Sequence, residues 1–217
     1  MPTRFAVACG LLAPLTYCAG LLFGDLAQPD AYSSADDAIS DLGAETASSP
    51  WIYNQVGVNL TGILVVAVAL GLWRALSPNL LGRLGAVALA LMGFTLFLQG
   101  LFRLDCRSID AGCENVSWHS DAHSLATGIS AVFLLAAPIA LAFAFRRAPG
   151  WRGAWLPTLA AIPASIAASV LFSFLGDGAA NRAGAIAWLL WLAYIALQLH
   201  RRSPPRARAS DRPGTRS

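Results

Sequence analysis

Two histidines four residues apart, His119 and His123, have the types and spacing of a reactive pair. On a helix they would share a face, and two imidazoles so placed can take adjacent corners of a zinc site. Asp105, Asp121 or Asp41 could supply a carboxylate, and His119, His123, Asp41 and Asp105 could hold a metal or act as acid and base. The glutamate of a peptidase signature is missing. The plainer alternative is a pair of interfacial histidines bonded to loop carbonyls and lipid headgroups. Other polar groups lie nearby in the chain: Asn54, Gln55 and Asn59, then Gln99 and Arg103, then Asp177, Asn181 and Arg182. Arg103 could pair with Asp105 or with a carboxylate of the first loop, or grip a phosphate or carboxylate of lipid. Asn59, Gln99, Arg103 and Arg182 are the binding candidates. Cys106 and Cys113 could form a disulfide in an oxidising loop, or join His119 at a metal.

The elements that carry these residues follow from composition. The chain is 56% hydrophobic and only 12% charged, against about a quarter charged in soluble domains. The apolar residues fall in blocks of about 20, the length that crosses about 30 Å of hydrocarbon. Six blocks are predicted, at about 5–24, 51–73, 81–102, 123–145, 153–175 and 183–200. The expected fold is therefore all-α, a six-transmembrane-helix bundle. Residues 201–217 read as a disordered basic cytoplasmic tail. All 15 basic residues are arginine. Twelve fall on one side of the six-span arrangement and three, Arg103, Arg107 and Arg182, on the other. That bias places both termini in the cytoplasm of a multi-pass cell-membrane protein. No arginine cluster is interleaved with aromatics on a soluble domain, so nucleic acid is excluded as a partner.

The outer side then collects the candidates, at the ends of spans. Gly82, Ala86 and Ala90 recur every four residues in span three, as do Ala160, Ala164 and Ala168 in span five. Such rows let helices approach closely in lipid. In the first loop, Ser34-Ala-Asp-Asp37 fits a capping box. A short interfacial helix over Ala35–Leu42 would stop at Gly43, with Ile39 and Leu42 facing the membrane. Asp41 could turn inward to Arg103, Arg182 or the histidines.

The stretch Ile39-Ser-Asp-Leu-Gly-Ala44, followed by Trp51, resembles the signature of the family known as domain of unknown function (DUF) 998. Gly100-Leu-Phe-Arg-Leu-Asp105, a histidine entering span four and Arg182 are similar to that family as well. Arg103 stands where proline is common in it. The likeness runs over about residues 5–201. It implies a prokaryotic integral membrane protein of about six spans. It singles out Asp41, Asp105, one of the two histidines and Arg182, and it implies no reaction.

Three functions are expected to compete. The first is a non-catalytic membrane protein that binds a lipid or partner at its outer face. The second is a membrane-embedded metal-dependent hydrolase or transferase acting on a lipid headgroup. The third is a small transporter, disfavoured because polar groups crowd one end rather than the midplane. Membrane lipids are the expected partners, with a membrane-protein partner or a homo-oligomer also open. No cofactor is expected unless the histidine pair takes zinc.

Overall fold

The computed structural model describes residues 3–29 and 31–202. The tail from residue 203 and Asp30 lie outside the described residues, and with them the predicted disorder of 203–217. Six helices are long and apolar enough to cross a membrane. They are α1 (Thr3–Leu26), α2 (Leu60–Ala75), α3 (Leu80–Leu101), α4 (Trp118–Arg147), α5 (Trp155–Phe172) and α6 (Asp177–Arg201). A π-wound stretch, Ile52–Asn59, leads into α2 and makes one span of Ile52–Ala75. Short 3-10 turns, Arg152–Ala154 and Ser173–Leu175, flank α5. No strand occurs among the described residues.

Each helix packs on its neighbours in the chain, and α6 returns to α1, so the bundle is a ring in sequence order. One end carries the start of α1 and the end of α6. The opposite end, the loop end, carries the two long loops. Leu72, Leu76, Leu89, Leu141, Phe145, Trp188, Leu192 and Ile195 form the interior. The backbones approach most closely where glycine meets glycine. A Cβ on Gly20 would strike the backbone of Gly57, and one on Gly62 would strike the carbonyl of Gly93. These crossings are between helices and have no repeat within one helix. The small-residue rows read from the sequence fare differently. Gly82 and Ala86 are buried, but Ala160 and Ala164 are exposed, because α5 is the least buried helix.

Two helices begin earlier than their apolar blocks. α4 starts at Trp118 rather than about 123, because the Ser117 side chain caps it by accepting from the Ser120 amide. α6 starts at Asp177 rather than about 183. Gly176, at φ 131°, turns the chain, and the Ala179 amide bonds the Ala35 carbonyl at 2.8 Å. Polar residues 177–182 are thus held by the first loop instead of by hydrophobic burial.

The first loop departs from expectation in three respects. Its serine turn is built on Ser33, not Ser34, and precedes the helix without capping it, the N-cap being Ala38: the Ser33 hydroxyl donates to Asp36 and its amide to Asp37, both at 2.7 Å. Its helix is one 3-10 turn, Ile39–Gly43, too short to show an amphipathic face. Leu42 is fully buried against the bundle rather than facing the membrane. Gly43 is not in the left-handed region among the described residues. It is glycine because the Asn54 side-chain oxygen occupies the place of a Cβ.

Candidate functional site

The predicted outer cluster resolves into three internally bonded groups and one outward patch. The first group latches the two long loops together. Asp41, only 2% exposed, does turn inward. Its partner is Ser108, whose amide and hydroxyl donate at 3.1 and 2.5 Å, rather than Arg103, Arg182 or a histidine. The Glu45 amide donates to the Leu104 carbonyl at 2.9 Å. Arg107 pairs with Asp110 at 2.7 Å, and the Thr46 hydroxyl donates to the same carboxylate. The Arg107 guanidinium, aided by Thr46, holds the Asp110 carboxyl well below the usual carboxylate range.

A disulfide between Cys106 and Cys113, with Cα atoms 6.1 Å apart, closes the ring that presents Ser108 and Asp110. Cys9 and Cys18 are free thiols in α1. Denatured protein kept from reductant is therefore expected to react with an alkylating reagent at those two cysteines only, and at all four after reduction. Four reactive thiols before reduction would contradict the pairing.

The second group joins α3 to α4. Asp105 accepts from the amides of Val116 and Ser117 at 2.9 and 2.8 Å and from the Ser117 hydroxyl at 2.5 Å. These bonds, the hydroxyl first, lower its pKa. Asp105 thus shapes the entry to α4 and does not pair with Arg103. His123 is buried, its Nδ1 3.0 Å from the Gln99 carbonyl and 2.9 Å from that of Phe102. Two acceptors require Nδ1 to be the donor, so the ring caps carbonyls at the end of α3. Gln99 contributes its backbone carbonyl there rather than its amide.

His119 points elsewhere. It is exposed and its ring lies on Trp118, centroids 3.7 Å apart, with Phe102 at 6.1 Å. The four-residue spacing puts both histidines on α4, but one is committed to α3 and the other faces out. Among the described residues no three His, Cys, Asp or Glu side chains gather closely enough to hold a metal. The predicted zinc constellation is not assembled.

The third group lies under the first loop. Arg182 donates to the Asp25 carboxylate at 2.9 Å, the Tyr32 hydroxyl at 2.6 Å and the Asp37 carbonyl at 3.3 Å. Burial, partly opposed by Arg182, pushes the Tyr32 phenol up to about 12. Tyr17 and Tyr53, toward the loop ends of the first two spans, are both buried. Sequence reasoning selected Arg182 but not Asp25, Tyr32, Tyr17 or Tyr53. The only available signal was that Asp25 ends span one and Arg182 starts span six, at the same level.

The π-wound stretch borders this group. Asn54 donates to the Gly43 carbonyl at 2.9 Å and Asn59 to the Gln55 side chain at 2.9 Å. The Asn59 side-chain oxygen has no donor among the described residues and lies against Gly100, where a Cβ would otherwise sit. Asn59 is therefore a packing element between α2 and α3 rather than an open binding group.

What faces outward is Arg103. The other two arginines of the loop end are ion-paired, Arg107 to Asp110 and Arg182 to Asp25. Arg103 is exposed and has no hydrogen bond or ion pair among the described residues. It directly follows Phe102, whose ring meets Trp118 edge-on at 5.8 Å. Trp118 and Leu101 are exposed next to Phe102.

No curated protein and no solved structure matches this chain. Residues 11–198 match the family described as "Protein of unknown function (DUF998)". Within the matched residues, Asp41 holds Ser108, Gly43 admits Asn54 and Gly100 admits Asn59. The chain belongs to the DUF998 family, and its six apolar helices make it a polytopic membrane protein.

Proposed function

We propose that this protein is non-catalytic and binds a phospholipid at its loop end, with Arg103 holding the headgroup phosphate. The observation that carries this reading is Arg103, unpaired among the described residues and set beside an exposed aromatic patch. Trp118 at 64% exposure and Trp51 at 61% belong to an interfacial aromatic belt. His119 on Trp118 adds a second nitrogen donor next to the lipid boundary. The arginine bias supports a cell-membrane protein with both termini cytoplasmic, which puts Arg103 at the outer leaflet. The carboxylates that a hydrolase would use are already bonded to serine hydroxyls and amides, and a bound phosphate needs none of them.

Protein extracted in mild detergent is expected to retain one phospholipid that Arg103→Ala loses. A charge-assisted contact of this kind is worth about 1.5–3 kcal/mol, so affinity should fall on the order of tenfold or more. Arg103→Lys should retain part of it, because the charge persists without the fork. Thermal unfolding of delipidated protein should not change, since Arg103 makes no hydrogen bond or ion pair among the described residues. Equal lipid content in wild type and Arg103→Ala would overturn the proposal.

A further inference from the structure

The end of the bundle opposite the latched loops carries a cavity of about 410 Å³, an open depression on the surface of the turn between α4 and α5. Arg147, Pro149, Gly150, Arg152 and Gly153 line it. Its neighbourhood is unusually fixed for a turn. Trp151 is buried and stacked on Phe145 at 4.6 Å, while the Arg202 guanidinium covers its other face at 4.4 Å. Arg202 also donates to the Gly150 carbonyl and to the Gln198 carbonyl at 3.0 Å.

The arginines at this end divide into two kinds. Arg146 lies over Trp155 and Arg83 over Trp73, at 5.4 and 5.5 Å. Arg147 and Arg152 are exposed, have no partner among the described residues, and meet at the cavity. Among the described residues no carboxylate compensates them, because every described Asp and Glu lies at the other end of the bundle. Arg147 ends α4, where helix carbonyls favour a cation. Arg152 opens the turn into α5, where the helix dipole disfavours one. Its amide and that of Gly153 are first-turn donors without an intrahelical acceptor. An anion in the cavity would satisfy the misplaced cation and the amides together. Gly150 and Gly153 leave the space open: a Cβ on either would meet nothing within 4 Å.

We propose that this cavity binds a phosphate group, supplied by an anionic lipid whose chains lie along the exposed Leu156 and Leu159 of α5. It is separate from the headgroup contact at Arg103, at the other end of the bundle.

The test is native mass spectrometry of detergent-purified protein with phosphatidylglycerol, with phosphatidylcholine, and with soluble glycerol phosphate as competitor. Wild type is expected to retain phosphatidylglycerol at least tenfold better than phosphatidylcholine. Arg147→Gln/Arg152→Gln should abolish that preference. Gly153→Glu should abolish it as well, since its carboxylate enters open space and repels the phosphate. Arg74→Gln, an exposed arginine away from the cavity, should leave it intact. Displacement by millimolar glycerol phosphate would support the phosphate site and assign it to a soluble ligand. Repeating the series with Arg103→Ala separates failure at this end from failure at the other. The proposal is overturned if wild type does not distinguish the two lipids, or if both cavity variants keep the preference.

Discussion

Arg182→Met is expected to be the most destabilising side-chain change at the loop end, costing about 2–3 kcal/mol of unfolding free energy. The substitution keeps most of the volume and removes every bond. It strands the Asp25 carboxylate, the Tyr32 hydroxyl and the Asp37 carbonyl, all of which accept from Arg182. Breaking a fully buried pair costs about 3–5 kcal/mol. The lower figure applies because Asp25 keeps 24% of its side-chain surface in contact with solvent. Asp25→Asn should cost less, since an amide oxygen still accepts from the guanidinium. The double variant should be less destabilised than the sum of the two by about 1 kcal/mol, the signature of a shared interaction. Denaturant unfolding in detergent micelles measures all three. Strict additivity would mean that the ion pair does not hold the end of α1 to α6.

Gly20→Ala is the second large effect. The new Cβ would meet the Gly57 backbone, including its nitrogen at 2.6 Å, and a backbone cannot swing aside as a side chain can. The helices must separate, at a cost of about 2–3 kcal/mol. The reverse substitution is milder. A Cβ on Gly57 has the Gly20 Cα at 3.2 Å as its nearest neighbour, so Gly57→Ala should cost about half as much. Gly128→Ala is the matched control. Nothing lies within 4 Å of its Cβ position in α4, and alanine should stabilise that helix by about 0.5–1 kcal/mol. The order Gly20, Gly57, Gly128 in midpoint temperature checks the crossing, and any other order contradicts it.

The spans were legible because lipid demands them. A helix must supply about 20 apolar residues to cross, and that demand leaves a mark in sequence whatever the helix packs against. The starts of α4 and α6 were not legible, because hydrogen bonds from other segments set them. Ser117 and Asp105 fix one; Gly176 and the first loop fix the other. Asp41 and Arg182 stood out as charges beside apolar runs. Their partners did not. Ser108 is an ordinary loop serine, and Asp25 is separated from Arg182 by the whole ring of helices, which only the packing of α6 on α1 closes. The histidine pair misled for a related reason. Helical spacing fixes the direction of a side chain on its own helix, but not what the neighbouring helix offers. Here the end of α3 offers two carbonyls to His123 and only the Phe102 ring to His119.

At the loop end, then, Arg107 and Arg182 are ion-paired within the structure while Arg103 is exposed. The most direct test of that division is to incorporate a phospholipid with a photoreactive headgroup into nanodiscs with the protein. After irradiation, the adducts are mapped by peptide. The account predicts labelling within Phe102–His119 in wild type, lost in Arg103→Ala and kept in Arg107→Ala once the protein is shown to be folded. Labelling of that segment that persists in Arg103→Ala, or never forms in wild type, would contradict it.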